Sequence, residues 1–357
     1  MTKYPMTKSE ARMNVVRPRY MVVALPRTAF LVVALVWAFS FSASSPVVGQ
    51  ETGIPYKISS AEGEAAVPSV ITRRGTTTEV ETSDLVCQIR PDLPKPGVVR
   101  CRYKPTGYEV VPDVPNQALL MPEWLLKPGA GRQGIFWGPL NAEPDVKVEE
   151  GSVVFSVAAE QTQDWNMDVT FRYTPRRDWI DFTCRIVPHA AIRDFEFFFA
   201  SYITEDMEST WVSAAMPDGE VFRKLDNRQT KPWGPPYTIT RDARARAYLS
   251  DGRWNLTGAE ASRELWQDFF FHRPILVAMN ESTGLAAVTM VDPQVCSLLG
   301  GQHHEIETAH DFTFCGDLQP DQPFCGRARL VIRPIGRFPA AVGQVDAMWE
   351  DFIESLR

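Results

Sequence analysis

The sequence predicts an all-β fold, one large antiparallel sandwich, behind an exported N-terminus. Three observations predict it. Apolar residues recur at every second position through most of the chain, Pro and Gly punctuate the intervals, and a single helical stripe stands at the C-terminus.

The clearest alternation sets Met167, Val169, Phe171 and Tyr173 against Asp168, Thr170, Arg172 and Thr174. After the turn Pro175-Arg-Arg-Asp178, Ile180, Phe182, Cys184 and Ile186 alternate with Asp181, Thr183 and Arg185, so the two segments read as an antiparallel hairpin. Val153, Phe155 and Val157 follow the turn Glu149-Glu-Gly-Ser152, and Phe195, Phe197 and Phe199 lead into Ser201-Tyr-Ile203, which extends the hairpin to a meander. Leu285 to Val291 and Arg327 to Arg333 repeat the strand character. No helix of ordinary length is evident in the middle of the chain, and Arg241-Asp-Ala-Arg-Ala-Arg246 reads as a solvated loop or strand face. At the end, Val342, Val345, Met348, Phe352 and Leu356 recur at three- and four-residue spacing, the stripe of an amphipathic helix over about 341–356.

The N-terminus carries Lys3, Lys8, Arg12, Arg17, Arg19 and Arg27 ahead of the apolar stretch Thr28 to Ala43, the charge order of a secretory signal. Cleavage is expected near Gly49, with Ser42 and Ser44 as the alternative, and translation starts at Met1, Met13 or Met21. An apolar run of about 15 residues is short of the roughly 20 that span a bilayer, so a cleaved signal is expected over an anchor. This divides the chain into a signal at 1–49, a small polar linker at 50–68 and one β-domain at 69–357, with a secreted or periplasmic destination. Removal of the signal leaves 31 Lys plus Arg against 43 Asp plus Glu, a charge of about −12. Such a surface repels polyphosphates and anionic membranes, so no nucleic-acid partner is expected, and no membrane contact beyond the signal. Six cysteines at 87, 101, 184, 296, 315 and 325 lack a CxxC pair, which argues against structural zinc, and export permits disulfides. Cys87 with Cys101 and Cys315 with Cys325 are the pairs that local geometry favours.

The opening strand Thr78 to Arg90, the turn-rich stretch through Gly107, the hairpin Asp168 to Pro188 and the aromatic strand Phe195 to Ile203 together resemble the galactose-mutarotase-like β-supersandwich. Phe197-Phe-Phe-Ala-Ser-Tyr-Ile203 and Ala309-His-Asp-Phe-Thr-Phe314 are similar to segments of uncharacterised exported bacterial proteins of that fold. The likeness covers roughly residues 70 to 336 and implies a fold shared by sugar epimerases, domains of polysaccharide lyases and hydrolases, and carbohydrate-binding proteins. The His-His-Ser-Gly and Asn-Gly-Phe-Asp-Lys types of segment that mark aldose epimerases are absent from this sequence. The resemblance therefore implies the fold and a carbohydrate or other extracellular polymer as partner, not epimerase activity.

Two segments could carry chemistry. Gly300 to Asp311 gathers His303, His304, Glu305, Glu307, His310 and Asp311. If this stretch is extended, His303, Glu305 and Glu307 face one way, where imidazole and carboxyl could exchange protons near neutrality or ligate a divalent ion. The other reading is a polar loop with hydrogen-bonded histidines, and no metal or cofactor is assigned. The second segment is aromatic: Trp233, Tyr237 and Trp254, with His272 and Arg273, mix flat rings with hydrogen-bonding groups as sugar binding requires, although such rings also fill sandwich cores. Three functions remain open: an exported glycan-binding protein without catalysis, a carbohydrate-active enzyme of the epimerase, lyase or hydrolase kind using the 303–311 cluster, or a structural component of the cell exterior. No nucleophile elbow, phosphate loop or His-Glu-x-x-His helix occurs.

Overall fold

The computed structural model describes residues 70–127, 133–134, 144–225, 237–254 and 267–357, apart from 92, 94, 163, 164, 304 and 305. The signal segment, the linker, Trp233, His304 and Glu305 lie outside the described residues.

Strands β1 (Val70–Arg74), β2 (Thr77–Glu81), β3 (Leu85–Arg90), β4 (Gly97–Tyr103) and β5 (Tyr108–Glu109) form an antiparallel meander in chain order. There follow β6 (Met121–Leu126), β7 (Gln133–Gly134), β8 (Asp145–Glu149), β9 (Ser152–Val157), β10 (Met167–Pro175), β11 (Trp179–Pro188), β12 (Ile192–Thr204), β13 (Ser209–Met216) and β14 (Gly219–Leu225). The remainder comprises β15 (Tyr237–Thr240), helix α1 (Ala243–Ser250), β16 (Phe270–Met279), β17 (Leu285–Val291), β18 (Cys296–His303), β19 (Glu307–Leu318), β20 (Phe324–Pro334) and helix α2 (Val342–Leu356). A nine-stranded sheet runs β14-β13-β16-β17-β20-β11-β10-β9-β8, and a six-stranded sheet runs β15-β18-β19-β12-β6-β7. The architecture is a large antiparallel β-supersandwich closed by a C-terminal helix, as the two-residue period requires.

The period decides the packing directly. In the hairpin β10–β11, Val169 faces Ile186, Phe171 faces Cys184 and Tyr173 faces Phe182, so each apolar residue meets another on one face. The β8–β9 turn places both Glu150 (φ 47°) and Gly151 (φ 78°) in the left-handed region, the geometry whose twist matches the strands it joins. Between the two large sheets, Phe171 stacks on Phe197 at 5.9 Å between ring centroids and Phe182 meets Phe199 at 5.6 Å. Each fully buried ring contributes about 2 kcal/mol of apolar burial. Gly326 on β20 keeps this layer closed, because a Cβ there would lie 2.1 Å from Phe314 Cε2.

The other face of the nine-stranded sheet, through Val277, Val288, Met290 and Val331, is covered by Val345, Met348 and Phe352 of α2. Helix α1 departs from the loop or strand face expected at 241–246. The Asp242 carboxylate accepts the Ala245 N–H at 2.8 Å, an N-cap that starts a helix where arginines alone give no apolar stripe. Ala245 and Leu249 then bury themselves against Leu298 and Trp254.

Candidate functional site

Strand β19 shows the period two at its most consequential. Thr308, His310, Phe312 and Phe314 point toward the nine-stranded sheet, opposite Ile203, Ser201, Phe199 and Phe197 of β12. Glu307, Ala309, Asp311 and Thr313 therefore point to the outer face, in register with Thr204, Tyr202, Ala200 and Phe198. Nevertheless Glu307 is 0% exposed and Asp311 4%.

Strand β6 adds a third carboxyl group. Its register against β12 shifts between Phe198 and Phe199, where Trp124 pairs with Phe198 but Pro122 pairs with Phe199. Glu123 is the extra residue of this bulge, which brings it to the same face as Trp124. Its Oε1 accepts the Tyr202 hydroxyl at 2.8 Å and its Oε2 accepts Lys95 Nζ at 3.0 Å. Lys95 comes from the loop between β3 and β4 and also lies over the Trp124 ring, 5.4 Å from its centroid. On the far side of β19, Gly300 of β18 pairs with Asp311, and a Cβ at Gly300 would lie 3.0 Å from Asp311 Cβ and 3.1 Å from Oδ2. The glycine makes the space in which the Asp311 carboxyl sits. The face thus sets Glu123, Glu307 and Asp311 beside the half-buried rings of Trp124, Phe198 and Tyr202.

Burial and mutual charge shape its protonation. Asp311 is raised to about 8, first by loss of solvent and then by Glu123 and Glu307, with Lys95 opposing. Glu307 is raised to about 7 by loss of solvent and by Glu123. Tyr202 is pushed well up by burial and by the same carboxylates. Neither Glu307 oxygen nor Asp311 Oδ1 has a hydrogen-bond partner among the described residues. Two carboxyl groups that titrate near neutrality, beside a third held by a lysine, can take up and release protons and can accept donors from a ligand.

The histidines do not join them. His310 is buried on the inner face with Nδ1 3.2 Å from Thr289 Oγ1, and burial lowers it to about 3, so it is a neutral core side chain at neutral pH. His303 ends β18 opposite Thr308, and its Nδ1 donates to Thr308 Oγ1 at 2.8 Å while that hydroxyl donates to the Met207 carbonyl. The expectation that His303 shares a face with Glu307 is corrected. The chain turns between β18 and β19, so alternation does not continue through 303–307, and the register places His303 with Thr308 instead. No group of three His, Cys, Asp or Glu among the described residues could hold a metal ion.

Of the aromatic set, Tyr237 opens β15 opposite Gly301, on the inner side, and is half-buried. Trp254 is buried and meets Tyr248 edge-on at 4.8 Å, so it packs beneath α1 rather than lining a surface groove. His272 and Arg273 gather in a different sheet around Glu220. Arg273 reaches both Glu220 and Asp346 at 2.6 Å, and His272 Nδ1 lies 3.3 Å from Glu220. A cleft of about 470 Å³ opens there, lined by Trp211, Phe222, Phe338 and Val342 as well. Sequence reasoning missed Glu123, Lys95, Trp124 and Tyr202. The signal for Glu123 was present in Met121-Pro-Glu-Trp-Leu-Leu126, where one acid and one proline interrupt an otherwise apolar strand.

No protein-family model matches the sequence, and no curated protein does. Solved structures to which the chain is similar include a galactose mutarotase-like protein from Clostridium acetobutylicum, at 8% identity and a TM-score of 0.46 over 75% of this chain and 99% of that one. A putative aldose 1-epimerase from Klebsiella pneumoniae shows 10% identity and a TM-score of 0.44 over 79% and 86%. An α-N-acetylgalactosaminidase from Bifidobacterium bifidum shows 13% identity and a TM-score of 0.42 over 79% of this chain and 38% of that one. At these identities and scores, the description of the fold rests on the strand order of the chain itself.

Proposed function

We propose that the chain is an exported carbohydrate-associated protein that binds a glycan at the outer face of the six-stranded sheet. One observation carries the reading: Trp124, Phe198 and Tyr202 share that face with Glu123, Glu307 and Asp311. Pyranose rings offer C–H faces that stack on aromatic rings and hydroxyls that donate to carboxylates, and this face offers both partners together. Export is supported by the basic then apolar N-terminus. A glycan array with purified protein, followed by calorimetry of the hits, tests the reading. Trp124→Ala is expected to weaken binding about tenfold, the value of one lost stacking contact of roughly 1.4 kcal/mol. Retention of full affinity in that variant refutes the placement of the site, and an array without hits refutes the ligand class.

A second reading, proton-transfer catalysis on the bound sugar, is favoured by Glu307 near 7 and Asp311 near 8 on one strand. In that reading Asp311 donates a proton at neutral pH and Glu307 accepts one. Anomer exchange and reducing-sugar release, followed over pH 5 to 9 with wild-type and Asp311→Asn protein, discriminate binding from catalysis.

A further inference from the structure

We propose that the ligand of the Glu123, Glu307 and Asp311 face carries a protonated amine, as an amino sugar does, in preference to a neutral or anionic sugar. The inference rests on the carbohydrate reading above and concerns which sugar chemistry the same face selects.

Lys95 from the β3–β4 loop, Glu123 from β6 and Tyr202 from β12 surround Glu307 and Asp311 of β19, and Glu196 stands further along β12 on the same face. From β18 and β15 the same face receives Gly300, Leu298, Thr238 and Thr240, none of them charged. Lys95 already bonds Glu123. Burial and Glu123 hold Glu307 and Asp311 toward their protonated forms, so each gains by ionising beside a cation, which a cationic sugar supplies and an anionic one does not.

Glu307 is 0% exposed, yet neither of its oxygens is hydrogen-bonded among the described residues, and Asp311 Oδ1 is in the same condition. Buried carboxyl oxygens without donors are costly, and native structures ordinarily supply the donors. Between the two acids on β19 the only side chain facing the same way is the methyl group of Ala309, which offers none. A protonated amine brings three N–H donors and a positive charge at one point, whereas a hydroxyl brings one donor and no charge.

The proton balance follows. In the free protein at neutral pH, Asp311 holds its proton. An arriving ammonium group keeps its own protons, the Asp311 carboxyl releases one to solvent, and a carboxylate–ammonium pair remains.

The test uses the full chain and two probes, a trimer of glucosamine and the same trimer fully N-acetylated, titrated by calorimetry at pH 6.0, where the amines arrive largely protonated, in two buffers of different ionisation enthalpy. Expected are about tenfold tighter binding of the amine trimer, proton release on its binding alone, and loss of the preference in Asp311→Asn, read as the ratio of the two trimers' affinities within each protein. Glu307→Gln provides a second variant should Asp311→Asn fail to fold. Equal or tighter binding of the acetylated trimer, or amine binding without proton release, overturns the inference while leaving the carbohydrate reading in place. Failure of both trimers while a neutral or acidic glycan binds overturns it likewise. Failure of every glycan overturns the carbohydrate reading and this inference with it.

Discussion

Replacing Asp311 with Asn converts the buried acid into a question about stability and pH. The folded protein holds Asp311 at about 8 against 3.8 for the free side chain. A carboxyl raised on folding contributes full stability below its unfolded value and loses it progressively as pH rises toward the folded one. From pH 4.5 to 8 the loss has a ceiling near 5 kcal/mol, at about 1.4 kcal/mol per unit. Relaxation around a charged Asp311 halves this to about 2.5 kcal/mol at an effective dielectric above the dry limit. A domain of this size shifts by roughly 2 °C per kcal/mol, so the melting difference between Asp311→Asn and wild type should grow by about 5 °C in favour of the variant over that range. His310, lowered to about 3 by burial, contributes the opposite slope: its stabilisation is present above about 6.5 and is lost as pH falls. That slope is common to both proteins and cancels in the difference. Calorimetric melting of the two proteins in matched buffers at half-unit intervals makes the measurement. Parallel curves would refute the claim that the native state holds Asp311 protonated.

Three other outcomes follow from the geometry. Gly326→Ala drives a Cβ against the Phe314 ring and is expected to cost about 3 kcal/mol in urea unfolding, with Phe314→Leu restoring part of it; an unchanged midpoint contradicts the packing described. Cys87 Sγ and Cys101 Sγ lie 3.6 Å apart on directly paired residues of β3 and β4, so protein exported into an oxidising compartment should yield a linked Cys87–Cys101 peptide on non-reducing mapping; alkylation of both thiols in denaturant without reductant speaks against it. Asp242→Ala removes the cap of α1 and should lower stability by about 1 kcal/mol, read by urea titration, while Asp242→Asn keeps most of it.

The strands were legible because their period is local: alternation from Met167 to Ile186 names both the hairpin and its buried face without knowledge of any partner. Helix α2 was legible for the same reason, a stripe that can be read in isolation. Helix α1 was not, since its start depends on one capping aspartate and its burial on Leu298, more than 40 residues away. Within the site, Glu307 and Asp311 stood out as acids among histidines, but their actual companions come from β6, β12 and the β3–β4 loop. Nothing local ties Lys95 or Tyr202 to residue 311, because such partners are fixed by strand order. His303 and Glu307 were expected to point alike on the assumption of one unbroken strand, and the reversal between β18 and β19 removed that assumption.

The bulge in β6 links a stacking ring to an acid in one dipeptide. Because Glu123 is the surplus residue of its ladder, the length of this short segment is as consequential as its composition. Deleting one residue between 121 and 124 would restore plain alternation, and either the acid or the indole would then turn away from Tyr202. Variation in related chains should accordingly tolerate exchange of side chains here far better than any change in residue number.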